Sequence, residues 1–433
     1  TPRTSSATSS SARRFPSRAA APVLTDRGRW ILALGGGIYL AAWAFGSEAL
    51  YPIALGLVLA VVAAALWVRY LRRPMELRRN LGRGERLAGD DVTVSVELDE
   101  DGTVPSGALV LRERIARLGD RETPLVRRHG RLRGRYTLRR VPRGRYPVEE
   151  AEIVIEDPFG LERVSVQLPT GASILVYPRL VDLDRLFSES GARTPEGRRL
   201  LMRRPTGFDL HSVREYEQGE SLRRVHWPST AKRGQLMVKE LEDSPRDETA
   251  VLLDADRSVV VGDPADSSFE LAVRAAGSIL KAHASRGRRA ALIVNGSRPT
   301  YQRVHSFDGE WHRALGILAA VEADGHVPAT NMLADEAGPA SRAVDLTIVT
   351  SALSPRLVER LAHRAMAHHG ASLVYVDAST FAAGSPTGGH RLPPEAAALI
   401  LRLQRAGVPV VVLRRGEDLA ARLGASEVKA AVG

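Results

Sequence analysis

Two apolar stretches near the start of the chain decide its fold. The first is Trp30–Phe45 (WILALGGGIYLAAWAF) and the second is Ala49–Val68 (ALYPIALGLVLAVVAAALWV). Neither contains a charged residue, and a short GSE segment separates them. A helix needs roughly 20 apolar residues to cross a bilayer core, with about 17 as the usual lower end. The second stretch meets this length and the first nearly does, so together they predict a hairpin of two transmembrane helices over residues 29–73. A cleaved signal peptide does not explain a second, longer apolar run.

Arginines flank the two stretches on their outer sides and are absent from the turn between them. The flanking residues are Arg27 and Arg29 before the first stretch and Arg69, Arg72 and Arg73 after the second, whereas the turn carries Glu48. Loops rich in Arg and Lys stay on the cytoplasmic side. The chain has 57 Arg but only 4 Lys, a bias typical of a GC-rich bacterial genome. We therefore expect a multi-pass protein of a bacterial cytoplasmic membrane, with both ends and the soluble domains in the cytoplasm. Residues 1–28, rich in Ser, Thr, Arg and Ala, are expected to form a disordered tail.

The net charge of +11 comes from two local patches. Residues 1–29 contain six Arg and one Asp, and residues 112–146 contain thirteen Arg and three acidic residues. The last 188 residues balance 21 basic against 20 acidic groups, so no nucleic-acid-binding domain is expected. The absence of Cys excludes disulfides, thiolate catalysis and Cys-based zinc sites.

Residues 86–180 show the alternation of a half-buried antiparallel sheet. Apolar and polar residues alternate in five short runs, which predicts a β-sandwich-like domain. The predicted strands are Asp91–Leu98, Gly107–Leu111, Gly134–Leu138, Glu152–Ile155 and Val164–Leu168. The Arg-rich segment 112–146 falls in this domain. It is either a solvated face or a surface that contacts anionic headgroups beside the anchor.

Residues 181–245 contain a linker, followed by the motif GFDLHSVREYEQGESLRRVHWPSTAKRGQLMVKELE over 207–242. The motif resembles the signature of the domain of unknown function 58 (DUF58) family, approximately R-x-Y-x-x-G-D-x-x-R-x-I-x-W-x-x-[ST]-A-[RK] and then V-[KR]-E. The residues that carry the resemblance are Arg214, Tyr216, Gly219, Glu220, Arg223, His226, Trp227 and Lys239, with Glu220 in place of the usual Asp. The DPFGL turn at 157–161 and the apolar hairpin are also similar to that family, so the resemblance covers most of residues 30–433.

The motif admits two physical interpretations. In one, Arg223 and Arg224 bind carboxylates such as Glu220, and Trp227 is buried, so that the segment is a polar staple between domains. In the other, Arg223, Glu220 and His226 line a catalytic pocket, which requires the imidazole to be accessible to solvent.

Residues 246–433 alternate apolar strands with capped helices, which predicts a doubly wound α/β domain. A capping box at Ser267 and Glu270 opens one helix, and Ser354-Pro355 opens another. The order resembles a von Willebrand A-like domain, which implies a divalent-metal motif, D-x-S-x-S, after the first strand. Asp254, Asp256 and Ser258 form a degenerate version of it, suited to Mg²⁺ if to any metal. The alternative is that these residues cap the loop.

No nucleotide-binding, hydrolase or metalloprotease motif is found. We therefore expect a membrane-anchored scaffold or adaptor and not an enzyme. The resemblance implies that it works with a MoxR-type AAA+ ATPase and with a transglutaminase-like membrane protein. The alternatives are an enzyme centred on residues 214–240, or binding of anionic lipid or nucleic acid by the 112–146 segment.

Overall fold

The chain folds into two units that meet at the Val176–Tyr177 peptide bond. The computed structural model describes residues 22–70, 75–82, 84–100, 108–128, 131–189, 210–215, 225–241, 249–305, 307, 309–382, 384 and 392–424.

The first unit begins with two long helices, α1 (Asp26–Phe45) and α2 (Leu50–Tyr70). The Thr25 hydroxyl accepts a hydrogen bond from Gly28 N and so caps α1, while Gly46, in the left-handed region at φ 65°, ends it. The helices pack together where Gly35 lies against Ala54 and Leu57. Among the described residues, α2 is the one helix long and apolar enough to cross a membrane. Residues 22–28, assigned to a disordered tail, are structured; residues 1–21 lie outside the description.

A two-layer antiparallel domain follows the helices, and five of its ten described strands are those that the alternation predicted. One sheet has the order β1-β9-β8-β4-β5 with β10 paired to β8, and the other has the order β2-β3-β7-β6. Their inner faces share one hydrophobic core. The strands are β1 (Val23–Leu24), β2 (Met75–Asn80), β3 (Val92–Glu100), β4 (Ala108–Ile115), β5 (Gly119–Pro124), β6 (Val126–Arg128), β7 (Arg131–Leu138), β8 (Gly144–Glu156), β9 (Glu162–Gln167) and β10 (Ser173–Val176).

The Arg-rich segment 112–146 is partly neutralised by strands that lie outside it. Arg114 pairs with Glu150, and Arg131 and Arg133 both pair with Glu97. Antiparallel pairing places these glutamates beside the arginines. A charge count along the sequence therefore overstates the net positive charge around the segment. This favours the solvated-face interpretation.

The second unit is built on a six-stranded sheet of order β17-β16-β13-β18-β19-β20. Five strands are parallel, as the repeated βα units predicted, and β17 is an antiparallel edge. Two separate hydrophobic clusters cover its two faces. The strands are β13 (Thr249–Asp254), β14 (Gly262–Asp263), β15 (Asp266–Ser267), β16 (Ala290–Asn295), β17 (Thr300–Val304), β18 (Asp345–Thr350), β19 (Gly370–Val376) and β20 (Val410–Leu413).

Helices connect these strands, and two of them begin at the caps that the sequence predicted. Ser267 caps the longest helix by accepting from Glu270 N at 3.3 Å, and Ser354 caps another by accepting from Leu357 N at 3.2 Å. The helices of this unit are α3 (Trp227–Arg233), α4 (Ser268–Ser285), α5 (Gly309–Ala320), α6 (Ala329–Met332), α7 (Pro339–Arg342), α8 (Pro355–Met366), α9 (Pro394–Arg405) and α10 (Leu419–Gly424).

The α/β domain also recruits residues that the sequence assigned to the β domain and the linker. Leu183, Leu186 and Phe187 are buried in the same cluster as α4 and the sheet. Arg286 holds this segment on the domain by donating a hydrogen bond to Asp184 O at 2.6 Å. Residues 177–189 therefore belong with the α/β domain, although its predicted start was 246, because their apolar side chains complete its core.

Candidate functional site

The signature motif folds as a two-stranded ribbon with a short helix between its strands. Strand β11 (Leu210–Glu215) pairs antiparallel with β12 (Met237–Leu241), which places Arg214 opposite Val238 and Lys239 opposite Val213. Helix α3 precedes β12 and is held to it by His226 N, which donates to Met237 O at 2.7 Å. Tyr216, Gly219, Glu220 and Arg223, which were predicted to contribute to the site, lie outside the described residues.

His226 and Trp227 of the motif are placed differently from the staple interpretation. The Trp227 side chain is 65% exposed, so it does not supply the buried surface expected of it. His226 is half-buried, and its Nδ1 lies 2.8 Å from Ser229 Oγ. The His226 imidazole is therefore not sealed in a core. The physical reason is that α3 packs on β12 through its backbone and through Thr230, whose hydroxyl accepts from Met237 N at 3.0 Å.

A second polar cluster lies at the carboxyl edge of the α/β sheet, where ligands bind in this class of fold. Asp254, Asn295 and Thr350 are the last residues of three neighbouring strands, β13, β16 and β18. Thr350 Oγ1 donates to Asp254 Oδ2 at 2.7 Å, and Asn295 Nδ2 donates to Asp254 Oδ1 at 3.1 Å. All three side chains are buried. The carboxylate therefore braces the strand ends against each other.

The electrostatics of Asp254 follow from this burial. Burial raises the pKa of its carboxyl above the ordinary value, and the hydrogen bonds from Thr350 and Asn295 partly offset the rise. Asn295 Nδ2 also donates to Val327 O at 2.6 Å, which fixes the orientation of the amide with its nitrogen toward Asp254.

The cluster does not fit a resident Mg²⁺, which takes oxygen ligands in near-octahedral geometry. Both Asp254 oxygens already accept hydrogen bonds from protein donors, and Asp256 accepts from Ser258 N at 2.9 Å, capping a short turn. Ser258 itself is exposed. Within the described part of the chain, no group of three or more His, Asp or Glu side chains is placed to hold a metal ion. The arrangement agrees with the capping alternative.

Asn295 and Thr350 are the hydrogen-bond partners of Asp254, a role that was not predicted for them. Both could have been found from the sequence, since each is a polar residue at the end of a largely apolar strand. Asp377 follows the next strand in the same way; it is buried and accepts from Ser379 Oγ at 2.6 Å.

A cavity of about 310 Å³ lies elsewhere on the α/β domain, near the amino end of β13. Its walls include Ala250, Ala291, Tyr301, Arg303 and Arg342. The strands run away from it toward Asp254, so this cavity and the carboxyl-edge cluster are separate features.

Comparison with known proteins supports the resemblance carried by the motif. Residues 212–376 match the family described as protein of unknown function DUF58. The chain is 25% identical over 306 residues to the uncharacterized protein YeaD of Bacillus subtilis (strain 168), an overlap of 68% of this chain and 74% of YeaD. No solved structure matches the chain. The matched region runs from strand β11 of the motif to the end of β19 and includes the carboxyl-edge cluster. This match and the similarity to YeaD together support the assignment of the region to the DUF58 family.

Proposed function

We propose that this chain is a membrane-anchored scaffold or adaptor that holds a protein-docking domain at the cytoplasmic face of a bacterial membrane. The observation that carries the proposal is the apolar surface that the helix pair leaves exposed. Those side chains are Trp30, Leu32, Leu34, Tyr39, Leu40, Trp43 and Phe45 on α1 and Ile53, Leu55, Leu59, Val62, Leu66 and Tyr70 on α2. An exposed apolar surface of this extent marks a membrane or protein interaction site.

The anchor is a two-pass hairpin in this proposal. Helix α1 is the shorter apolar span, and its packing against α2 through Gly35 supports a common membrane segment. Arg27 and Arg29 at one end, Arg69 at the other and Glu48 in the turn support a cytoplasmic location for both ends.

The α/β domain is von Willebrand A-like in this proposal and acts as the docking module. The order of its sheet, with one antiparallel edge strand, supports the von Willebrand A-like fold. The exposed indole of Trp227 in the signature motif supports the docking role. Tryptophan is among the residues that most often dominate binding energy at protein interfaces. The resemblance to DUF58 proteins suggests a MoxR-type AAA+ ATPase and a transglutaminase-like membrane protein as partners.

Binding of the purified, detergent-solubilised chain to the MoxR-type ATPase from the same organism tests the proposal. We expect binding that Trp227→Ala weakens roughly tenfold or more, as for an interface hot spot. Met366→Ala, which removes an equally exposed apolar side chain on α8, is the matched control and leaves binding unchanged. Failure to recover the ATPase, with or without ATP, contradicts the proposed partnership.

One observation favours a second candidate, an enzyme centred on the motif. His226 Nδ1 lies within hydrogen-bond distance of Ser229 Oγ, which is the geometry of an activated hydroxyl nucleophile. A serine-directed phosphonate probe tests it directly. Labelling that is lost in Ser229→Ala and in His226→Gln supports an enzyme, and no labelling of the wild-type chain argues against this mechanism.

The third alternative, binding of anionic lipid or nucleic acid through residues 112–146, is weakened by the ion pairs within the β domain. It predicts salt-sensitive binding to anionic vesicles that is lost when exposed arginines such as Arg128 and Arg135 are changed to Gln.

A further inference from the structure

We propose that the turn Asp157–Leu161 is a third membrane contact, in which Phe159 inserts into the interfacial layer of the bilayer beside the helix pair. This inference rests on the proposed membrane anchor and adds a contact from the β domain. The proposed partner of the Asp157–Leu161 turn is lipid, at the depth where the headgroups meet the acyl chains.

The turn is rigid, and nearly every residue in it has a structural role. The Asp157 carboxylate accepts hydrogen bonds from the backbone nitrogens of Phe159, Leu161 and Glu162 at 2.9, 2.6 and 2.6 Å. Gly160 takes the left-handed conformation at φ 67°. Phe159 is the exception, since its ring is 75% exposed on a backbone that is held in place.

The turn is attached to the helix pair. The Leu161 side chain is buried in a cluster with Val61 and Ala64 of α2. Thr25, the cap of α1, donates through its hydroxyl to Gly160 O at 2.6 Å and through its backbone nitrogen to Leu161 O at 2.9 Å. Gly28 approaches so closely that an added Cβ would overlap Leu161 O.

The attachment fixes the depth of Phe159. Leu161 is level with Gly28, and the far end of α1 is Phe45, which is about 26 Å away at a rise of 1.5 Å per residue. The hydrocarbon core of a bilayer is roughly 30 Å thick. If the turn after Phe45 lies at the far boundary, the Asp157–Leu161 turn lies within a few ångströms of the near one.

The surroundings agree with an interfacial position. Aromatic side chains concentrate at the boundary between hydrocarbon and headgroups. Arg27 lies beside the turn, with a guanidinium nitrogen 3.8 Å from the position of a Cβ on Gly160, and it is exposed. A cation at this level is placed to meet a lipid phosphate while the Phe159 ring enters the acyl boundary.

Site-directed spin labelling in lipid nanodiscs tests this, because the chain has no native Cys. Three single-Cys chains each carry one spin label. For each label, the rate of collision is measured with oxygen, which partitions into lipid, and with a nickel chelate, which stays in water. Phe159→Cys probes the turn. Leu55→Cys, at an exposed site in the first half of α2, probes the anchor, and Val126→Cys, at an exposed site on β6, gives the aqueous reference.

We expect Leu55→Cys to show the highest oxygen-to-nickel ratio and Phe159→Cys a ratio several-fold above that of Val126→Cys. If Leu55→Cys is deep but Phe159→Cys equals the aqueous reference, the anchor stands and the interfacial contact is refuted. If Leu55→Cys is itself aqueous, the anchor and this inference both fail. Low accessibility of Phe159→Cys to both reagents indicates cover by protein and refutes lipid as the occupant. Pro158→Cys, on the same exposed turn, gives the same readout if Phe159→Cys does not fold.

Discussion

His283 makes the stability of the α/β domain depend on pH in a direction that can be calculated. Its side chain, near the end of α4, is 1% exposed, and neither ring nitrogen has a hydrogen-bond partner among the described residues. Burial lowers the pKa of this imidazole to about 3, and the charges of Arg288 and Arg286 contribute to the shift. The ring is therefore neutral in the folded domain at any pH where the protein is handled.

The sign follows from comparing the two states. In the unfolded chain the imidazole takes up a proton near pH 6.5, whereas in the folded chain it does so only near pH 3. The unfolded state is thus favoured as the pH falls from 6.5 toward 3, and the full stability is present above 6.5. One pKa unit corresponds to about 1.4 kcal/mol. Protonation of this residue in the unfolded chain therefore lowers the free energy of unfolding of the domain by about 2 kcal/mol from pH 8 to pH 5, and by about 3 kcal/mol from pH 8 to pH 4.

Replacement by Leu removes the titration and keeps an apolar fit. We expect the free-energy difference between wild type and His283→Leu to move by about 2 kcal/mol in favour of the variant from pH 8 to pH 5. Comparing two chains at each pH cancels the titration of all other groups.

Urea unfolding followed by the fluorescence of Trp311 measures this difference. Trp311 lies in the α/β core, so a chain in which the other four Trp residues are Phe reports on this domain alone. His363→Leu, at an exposed His on α8, is the control, because the same substitution there removes no buried imidazole. Parallel pH profiles of wild type and His283→Leu would refute the argument that the imidazole is buried without a partner.

Three further predictions concern contacts within the two units. Glu113 is buried, with Arg79 Nε at 2.6 Å and Tyr136 Oη at 2.7 Å, so Glu113→Ala should destabilise the β domain by about 3–5 kcal/mol in urea unfolding. Asp120→Ala, in an exposed ion pair, should cost less than about 1 kcal/mol, and equal effects would contradict the buried network. Gly28→Ala should lower the thermal unfolding midpoint of the solubilised chain, because the new Cβ meets a backbone oxygen. Gly36→Ala, with open space around it, should leave the midpoint unchanged or raise it. An unchanged midpoint for Gly28→Ala would show that α1 does not dock on the turn. Thr350→Val removes the hydroxyl that donates to the buried Asp254 carboxylate, so the α/β domain should lose about 1–3 kcal/mol in urea unfolding, and wild-type stability would contradict the bracing role.

The local signals in the sequence indicated the repeated βα units of the second unit but not its smaller elements. The alternation of strands and helices predicted for residues 246–433 became five parallel strands with their connecting helices, and the box at Ser267 and Glu270 opened α4 as predicted. These features depend on side-chain periodicity and on capping within a few residues, which the sequence displays directly. The antiparallel edge β17 was missed because Thr300–Val304 is half exposed and contains one buried residue.

The candidate site was less predictable, because its residues act through partners distant along the chain. Asp254 was recognised as a loop residue after a strand, but its hydrogen bonds to Asn295 and Thr350 span 41 and 96 residues. Trp227 was expected to be buried on account of its size, and the packing of α3 leaves it exposed.

The sequence by itself determined where apolar surface must be hidden, either within a core or in a bilayer. It therefore indicated the helix pair, the alternating β domain and the repeated βα units, since each depends on a period that is written in the chain. Only the tertiary structure decided which charges face each other, which strand ends meet at Asp254, and that Phe159 and Trp227 remain exposed. These depend on contacts between residues far apart in sequence, and no local pattern specifies them.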